Sequence, residues 1–307
     1  MKTNPTPLVS VVVITYYSAA YVLETLDSIY AQTYPSIELI ISDDASQDQT
    51  TSLCQKWIDE HRSRFVNVRL VTTQKNTGTA GNCNRGIAQS TGEWIKIIAG
   101  DDCLEPNVIE TYIAFINKNP NVKCVYANVN IYDNIFQERY LLPQKQLKNL
   151  RINQADCSAK EQFELLLRSN PVWASTIMTR KDVLLQIGLF NEKYAIFEDR
   201  PMLLELTRNG HQIHYLDVVG AKYRRHTESV QTVKKSVFIS RLKQNQEDFF
   251  RFEYLQYYSP SEQWAIKYRY QKNAFIKKAF NNKSNSLIRG MSHLLDLIPK
   301  IYLRFKQ

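Results

Sequence analysis

Short runs of aliphatic and β-branched residues alternate with segments of helical periodicity through the first hundred residues. The runs predict strands at residues 8–15, 37–41 and 68–71 and from residue 94 onward. Helices are predicted between them, at residues 48–60 and 79–89 and earlier, where Val22, Leu26, Ile29 and Tyr30 recur at the spacing of one helix face. This alternation predicts a doubly wound α/β domain with right-handed crossovers.

Beyond Pro106 the alternation loosens. The pattern predicts helices at residues 108–117, 161–168, 181–187 and 202–208, strands at residues 122–126 and 175–179, and an irregular polar stretch at residues 132–153. From about Val233 basic and aromatic helices follow. In the last helix, apolar residues from Met291 to Phe305 share one side, and Pro299 should kink it. We therefore expect one domain over residues 1–230 and a helical extension over residues 231–307.

The positive charge of the chain is concentrated in this extension. The chain of 307 residues carries a formal net charge of +9, and its 44% hydrophobic and 22% charged residues are typical of a globular protein. Residues 1–230 hold 24 Lys and Arg against 25 Asp and Glu, whereas residues 231–307 hold 15 against 5. The excess predicts an anionic surface as the partner of the extension.

The five cysteines are an odd number, and they form no CxxC pair. They predict free thiols in a reducing cytosol rather than a disulfide framework or a metal cluster. The N-terminal apolar run is short and lacks a small-residue cleavage site, so no signal peptide is expected. No apolar stretch in the sequence reaches the 18 or more residues that suggest a spanning helix.

Two adjacent carboxylates, Asp101 and Asp102, follow Gly100, where the strand that begins at Trp94 stops. In an open α/β sheet, ligands bind outside the carboxyl ends of the strands. The pair could therefore hold a hard cation that carries a phosphorylated ligand. Equally, the two aspartates could form an Asx turn and an N-cap. Their spacing alone leaves both interpretations open.

Longer sequence blocks carry a more specific signal. They are VSVVVITYYSAAYVLETLDSIYAQTYPSIELIISDDAS, KNTGTAGNCNRGIAQSTGEWIKIIAGDD, GLFNEKYAIFEDRPMLLELTRNG and YRRHTESV. In this order they resemble family-2 glycosyltransferases over about residues 7–229. The resemblance implies the GT-A fold of nucleotide-diphospho-sugar transferases, a Rossmann-like doubly wound mixed sheet, here with a C-terminal helical extension.

The resemblance places the nucleoside at the ends of the first two strands. Thr15 and Tyr16 match positions that contact the nucleoside, and Asp43 matches one that accepts hydrogen bonds from the uracil or ribose. Asp43 could instead simply form a turn, since aspartate is favoured there.

Three residues of the next block match positions near the nucleotide. Asn76 and Gly78 would let the backbone approach the base, unless Gly78 is an ordinary loop glycine. Asn84 matches a position beside the nucleotide but could instead pack locally on its helix.

By the same resemblance, Asp101 and Asp102 end an Asp-x-Asp-Asp segment that binds a metal ion. Mn²⁺ or Mg²⁺ held there would neutralise a diphosphate leaving group. We expect Asp101 to be the direct ligand and Asp102 its support. His226 matches a position that adds a metal or diphosphate contact in some members, and its alternative is a structural hydrogen bond.

Asp199 is the predicted general base, because inverting transfer needs one carboxylate to take the proton of the acceptor hydroxyl. Its neighbour Glu198 is predicted to position the acceptor. Both could also stabilise the start of the following helix. Trp173 could offer a flat face to a sugar ring or lipid, or be a core aromatic.

Three departures from the family pattern bear on the site. Tyr17 stands where Asn is usual, Ala99 where Asp is common, and Cys83 where Arg is common, with Arg85 two residues later. The loss at position 99 removes one acid of the segment and leaves more of the metal binding to Asp101. The change at position 83 removes an arginine that the family commonly has near the nucleotide, so it bears on which residues contact the nucleotide.

The resemblance implies an inverting, metal-dependent glycosyltransferase that moves a sugar from a nucleotide sugar, with UDP-hexose expected. The acceptor would be a glycan or a polyprenyl-linked lipid in bacterial surface polysaccharide synthesis. The competing interpretation, motivated by Ala99, is a catalytically inactive GT-A-like module that docks a partner or a membrane. No nucleic-acid partner is expected, because no recognition motif is present.

The basic extension predicts peripheral contact with an anionic leaflet, where each nearby Lys or Arg contributes about 1 kcal/mol. The enzyme would then work in the cytoplasm at the inner face of the plasma membrane. Alternatively, Phe249, Phe250 and Leu255 pack on the catalytic domain or on the second subunit of a homodimer.

Overall fold

A computed structural model describes residues 6–143, 147–227 and 237–304. The chain divides into two compact units, Met1–His226 and Thr227–Gln307. The boundary predicted between residues 230 and 231 lies outside the described residues, as do Ser229 and Phe305.

The first unit is built on the predicted parallel strands. They are β1 (Val9–Thr15), β2 (Ile37–Asp43), β3 (Asn67–Thr72) and β4 (Trp94–Ala99), in the order β3-β2-β1-β4. Every residue of β2 is buried, because helices cover both faces of such a sheet. The helices that connect these strands, and the one that follows β4, are α1 (Val22–Tyr30), α2 (Thr50–His61), α3 (Gly78–Gln89) and α4 (Val108–Lys118). The α/β prediction is confirmed.

The prediction for the buried face of α1 is wrong at one residue. Val22, Leu26 and Ile29 are fully buried, but Tyr30 is exposed. Its ring packs by its edge on Trp57, with ring centroids 6.3 Å apart. Tyr30 is the last residue of the helix, where an amphipathic ring can cover a neighbour and still reach water.

The second half of the unit adds four strands of very different lengths. They are β5 (Cys103–Leu104), β6 (Cys124–Asp133), β7 (Met178–Arg180) and β8 (Ile213–Arg225), and the helices are α5 (Ala159–Leu166), α6 (Lys181–Gln186) and α7 (Asp199–Arg208). The described residues form one eight-stranded mixed sheet in the order β3-β2-β1-β4-β7-β6-β8-β5. Strand β7 is antiparallel to β4 and β6, whereas β8 is parallel to β6.

Two local predictions in this half are wrong. Strand β6 runs on to Asp133, into the stretch predicted to be irregular, because it pairs along its length with β8. The strand predicted at residues 175–179 begins as a 3₁₀ turn, Ala174–Thr176, before β7. There the Thr176 hydroxyl donates to the Ala127 carbonyl at 3.1 Å, and this side-chain bond replaces a strand ladder.

The second unit is helical, with α8 (Arg241–Phe252), α9 (Pro260–Ala279), α10 (Ser286–Leu295) and α11 (Leu297–Arg304). Phe249, Ala265 and Ile276 are buried in it. Helix α9 starts with a capping box between Ser259 and Glu262, which satisfies backbone donors at its N-terminus.

The kink predicted at Pro299 is in fact a break between two helices. Helix α10 ends at Leu295 and α11 starts at Leu297, with Asp296 between them. A proline ring clashes with the carbonyl four residues earlier, which here belongs to Leu295. That carbonyl instead accepts a hydrogen bond from the Tyr268 hydroxyl at 3.2 Å.

Two further features bear on function. None of the helices in the described ranges is long and apolar enough to cross a membrane. All five cysteines are free and buried, and all lie in the first unit. Burial raises the pKa of each thiol, so these side chains serve as packing groups.

Candidate active site

The carboxyl ends of β1 and β2 meet at one edge of the sheet, as predicted. Thr15 and Asp43 are register partners, and the Thr15 hydroxyl donates to Asp43 at 2.8 Å. Asp43 is buried and also accepts the backbone N–H of Ser46 at 2.9 Å and its hydroxyl at 2.6 Å. The turn interpretation of Asp43 therefore matches the geometry, and its nucleoside contact stays a prediction. The ring of Tyr16 is exposed beside this edge.

Tyr17 adopts a backbone conformation that is unusual for an aromatic residue. Its φ is +52°, in the left-handed region that favours Gly and Asn. The backbone N–H of Tyr17 donates to the Ser46 hydroxyl at 2.8 Å, which ties this turn to the Asp43 network. The family's usual Asn at this position is thus explained by the backbone, and the tyrosine accepts a strained conformation.

Asp44 is a buried anchor that the sequence did not single out. Its carboxylate accepts the backbone N–H groups of Thr77 and Gly78, the latter at 2.8 Å. It also accepts the Thr77 hydroxyl at 2.7 Å and forms an ion pair with Arg85 at 2.8 Å. The partners of Asp44 lie more than thirty residues away in sequence, so periodicity gave no signal. The network fixes the loop that leads into α3.

Gly78 is required by the protein's own backbone. It has a φ of +82°, and a Cβ there would lie 2.6 Å from the Ala195 Cβ and 2.7 Å from the Ala195 carbonyl oxygen. The backbone N–H of Ala80 donates to that carbonyl at 3.1 Å. We predicted a close approach to a base; in this structure the close approach is to the segment that precedes Glu198 and Asp199.

Asn84 and Asn76 also have partners within the protein. The Asn84 amide donates to the Phe190 carbonyl at 2.9 Å and to Glu192 at 2.8 Å, while its oxygen accepts the Phe190 N–H at 3.0 Å. These bonds tie α3 to residues 190–192 and account for Asn84 without a nucleotide. Asn76 is exposed, and its oxygen accepts the Gly78 N–H at 3.0 Å, so it shapes the turn. Their nucleotide contacts stay predictions.

The two acids at the end of β4 face different environments. The Asp101 carboxylate is partly exposed and lies 3.0 Å from Nε2 of His226. The Asp102 carboxylate is buried and accepts the backbone N–H of Arg224 at 2.9 Å. This geometry fits the expected division, with Asp101 facing outward and Asp102 behind it. Across the described ranges, no group of three or more His, Cys, Asp or Glu side chains is arranged to hold a metal ion.

Arg224 holds this acidic turn in place, and the sequence gave it no role. Its side chain is almost fully buried, and Nε donates to the Asp101 carbonyl at 2.9 Å. The other guanidinium nitrogens donate to the Asn134 carbonyl and to Glu24. Its planar group also lies over the Phe136 ring, 3.9 Å from the centroid. A guanidinium can make these directed contacts together because its donors form a rigid fork.

A buried lysine lies beneath the turn. Lys96 on β4 donates to the carbonyls of Ser175 at 2.6 Å and Ile97 at 2.9 Å. Burial lowers the pKa of Lys96 to about 7, although Asp102 opposes the shift. Burial, and next the nearby Asp101, raise the pKa of Asp102. Asp102 is therefore suited to supporting Asp101 from behind and not to contacting a ligand directly.

The predicted base and its neighbour lie at the start of α7. Asp199 is the first residue of the helix and Glu198 precedes it. Burial, followed by the Asp199 charge, raises the pKa of Glu198, and burial raises the pKa of Asp199. Asn170 donates to Asp199 at 3.0 Å, which favours the charged form. Asn170 was missed in the sequence because it lies in a loop without a motif.

Trp173 packs at the rim of the core, and its ring centroid lies 5.2 Å from that of Tyr223. Burial raises the pKa of Tyr223, and the charges of Asp102 and Asp101 raise it further. Tyr223 thus lies close to the acidic turn on one side and to Trp173 on the other. The core interpretation accounts for Trp173, and its acceptor contact stays a prediction.

Comparison with known proteins identifies the family. The model of the family described as Glycosyl transferase family 2 matches residues 10–187, which is more than half of the chain. The chain belongs to this family. It is therefore a glycosyltransferase, and the resemblance of its motifs is confirmed.

The sequence relatives of the chain span a range of lengths. The chain is 27% identical over 228 residues to an uncharacterized glycosyltransferase of Haemophilus influenzae, covering 74% of this chain and 68% of that protein. Other relatives are longer, and the match covers as little as 34% of one from Rickettsia conorii.

Among solved structures, S. aureus TarS 1–349 in complex with UDP-GlcNAc matches with a TM-score of 0.60 at 17% identity, over 95% of this chain and 89% of that one. The mannosyltransferase PcManGT from Pyrobaculum calidifontis, in complex with GDP-Man and Mn²⁺, matches with a TM-score of 0.53 at 17% identity, over 97% and 74%. At this identity the likeness shows the fold, and the GT-A prediction is confirmed.

Proposed function

We propose that this protein is an inverting, metal-dependent glycosyltransferase that uses a UDP-hexose donor. The observation that carries the proposal is the partly exposed Asp101 carboxylate beside His226 at the end of β4, backed by the buried Asp102 and Arg224. Ligands of open α/β sheets bind at this edge. The solved relatives with UDP-GlcNAc and with GDP-Man support a nucleotide-sugar donor.

The residues present fit a divalent cation. Mg²⁺ commonly binds through one or two carboxylates together with substrate phosphate oxygens, and carboxylates also suit Mn²⁺. Asp101 offers an accessible carboxylate with His226 beside it. Asp101 would hold the ion and His226 would contact the ion or the diphosphate. When bound, the cation neutralises charge on the leaving diphosphate.

Asp199 then acts on the acceptor. Its carboxylate takes the proton of the acceptor hydroxyl as that oxygen attacks the anomeric carbon. The bond to the diphosphate breaks, and its electron pair leaves with the diphosphate oxygen. Burial raises the pKa of Asp199 above the ordinary value of an aspartate, which makes it a stronger base than an exposed carboxylate, and Asn170 orients its carboxylate. Glu198 and the face of Trp173 would position the acceptor.

The acceptor is proposed to be a glycan or a polyprenyl-linked lipid in bacterial surface polysaccharide synthesis. The basic extension supports work at the inner face of the plasma membrane, because residues 231–307 carry a net charge of +10. A homodimer has less support, since two such extensions repel each other.

The test measures slow hydrolysis of a panel of sugar nucleotides with Mn²⁺. We expect turnover of a UDP-hexose, a loss of about 100-fold or more in Asp101→Ala, and little change in the matched surface variant Asp59→Ala. Asp199→Asn should abolish transfer to acceptor while donor affinity is retained. Failure of every donor to bind, with no effect of Asp101→Ala, would instead support the inactive binding module that Ala99 suggests.

A further inference from the structure

Helices α10 and α11 present a row of large apolar side chains to solvent. Leu287 is 81% exposed, Leu294 is 69% exposed, and Met291 lies between them on the same side of α10. On α11, Leu297, Ile298 and Ile301 are exposed as well. We call these six residues the apolar row. Contiguous exposed apolar surface of this kind marks an interaction site.

The packing of the two helices does not use the apolar row. Lys272 of α9 donates to the Ser292 hydroxyl at 2.9 Å and pairs with Asp296 at 2.7 Å. The ring of Tyr302 packs against Trp264 of α9, with centroids 4.4 Å apart. These contacts hold another side of α10 and α11 against α9. The apolar row is therefore left for a partner outside this unit's core.

The charges near the apolar row select the kind of partner. Lys300 and Arg304 are exposed on α11 beside Leu297 and Ile301. The one acid in the sequence of α10, α11 and their junction, Asp296, is paired with Lys272. Basic side chains that flank an apolar stripe can reach anionic headgroups while the stripe lies at the acyl boundary. A second copy would bring a second net charge of +10 to the same face, which opposes self-association.

The lengths of the helices fix the mode of contact. Helix α10 has 10 residues and α11 has 8, so they extend about 15 and 12 Å at ~1.5 Å per residue. The hydrocarbon core of a bilayer is about 30 Å thick. Neither helix can span it, and both can lie in the interface plane.

We propose that the apolar row on α10 and α11, with Lys300 and Arg304, is the surface by which this enzyme lies on an anionic membrane. The proposal rests on the membrane contact of the proposed function and assigns that contact to named side chains. It places the contact on the last two described helices and leaves the buried Phe249 and its neighbours as packing groups of their own unit.

The test is flotation of the full chain with vesicles of phosphatidylcholine, with and without phosphatidylglycerol. We expect binding only when phosphatidylglycerol is present, and weaker binding as salt is raised. Leu287→Ser with Leu294→Ser should lower partitioning by about tenfold or more, since burial of each leucine contributes substantially. The matched control is Leu185→Ser, on an exposed leucine of α6, which should bind like the parent.

A second pair of variants tests the charges. Lys300→Gln with Arg304→Gln should lower partitioning by about 25-fold, since each charge contributes about fivefold. The control Lys56→Gln with Lys118→Gln removes the same charge from exposed sites of the first unit and should have little effect.

Three outcomes would overturn the proposal that the apolar row binds the membrane. They are no binding to phosphatidylglycerol vesicles, unchanged binding after loss of both leucines, and a dimer in sedimentation that the leucine variants dissociate. The last outcome would assign the row to a second copy. Because donor hydrolysis is measured without vesicles, a parent protein that hydrolyses donor but does not bind the vesicles overturns this surface alone. Loss of hydrolysis with intact binding overturns only the proposed function.

Discussion

The contact between Gly78 and Ala195 makes a specific prediction about catalysis. In Gly78→Ala, the new methyl group would lie 2.6 Å from the Ala195 Cβ, whereas carbon atoms pack at about 3.5–4.0 Å. The loop that carries Ala195 must therefore shift by about 1 Å. The φ of +82° adds about 1–2 kcal/mol of backbone strain for alanine. Since the loop leads directly to Glu198 and Asp199, the shift displaces Asp199, the proposed base.

A displacement of about 1 Å can lower a catalytic rate by about 100-fold. We expect Gly78→Ala to lower kcat for sugar transfer by that order, with little change in donor affinity. The assay is transfer to acceptor under saturating donor, together with donor binding by calorimetry. If Gly78 instead serves the approach of a base, donor affinity will fall first.

The matched control is Gly210→Ala. Gly210 has nearly the same φ, +84°, but a Cβ there meets no atom within 4 Å. This variant should lose a similar part of its stability through backbone strain and keep its transfer rate. Equal rate losses in the two variants, or intact kcat in Gly78→Ala, would refute the reasoning.

Three further predictions concern single residues. Asn170→Ala should move the acidic limb of the pH–rate profile to higher pH, because the lost hydrogen bond favoured the charged form of Asp199; an unmoved limb would argue against Asp199 as the base. Tyr17→Asn should raise the melting temperature, because it relieves up to about 1 kcal/mol of backbone strain at φ +52°. A lower melting temperature would contradict this.

Glu38 is the third. Burial opposes its charge, but hydrogen bonds from Ser10, Thr91 and Gly92 hold its pKa below the usual value. Its stabilisation is therefore complete above the unfolded pKa of about 4.3 and is lost as the pH falls through the folded pKa. Urea unfolding of the parent should weaken in acid, while Glu38→Gln should be less stable at pH 7 and change less with pH. A pH dependence that Glu38→Gln leaves unchanged would exclude this carboxylate as its source.

The parallel half of the sheet could be predicted because each buried strand is a nearly continuous apolar run, as in β1 and β2. Strand β8 could not be predicted in this way. Residues 217–219 are exposed in it, and its pairing with β6 shifts register around Asn128, so no period of two survives in the sequence.

The site was predictable where a motif stands at a strand end, and not where distant residues meet. Asp101 and His226 are brought within 3.0 Å, as the resemblance suggested. The contacts of Asp44 with the Gly78 loop and of Arg224 with the acidic turn join segments far apart in sequence. Such contacts arise from tertiary packing, which local patterns do not encode.

The distribution of the five cysteines gives a selective chemical reporter. Every thiol is buried in Met1–His226, with a raised pKa, and the second unit's sequence contains none. A thiolate-reactive dye should therefore label the native protein slowly, at a rate set by local opening of the catalytic unit. The helical unit itself holds no thiol that its unfolding could expose. Labelling kinetics followed beside helix content by circular dichroism can thus separate the stabilities of the two units in one intact chain.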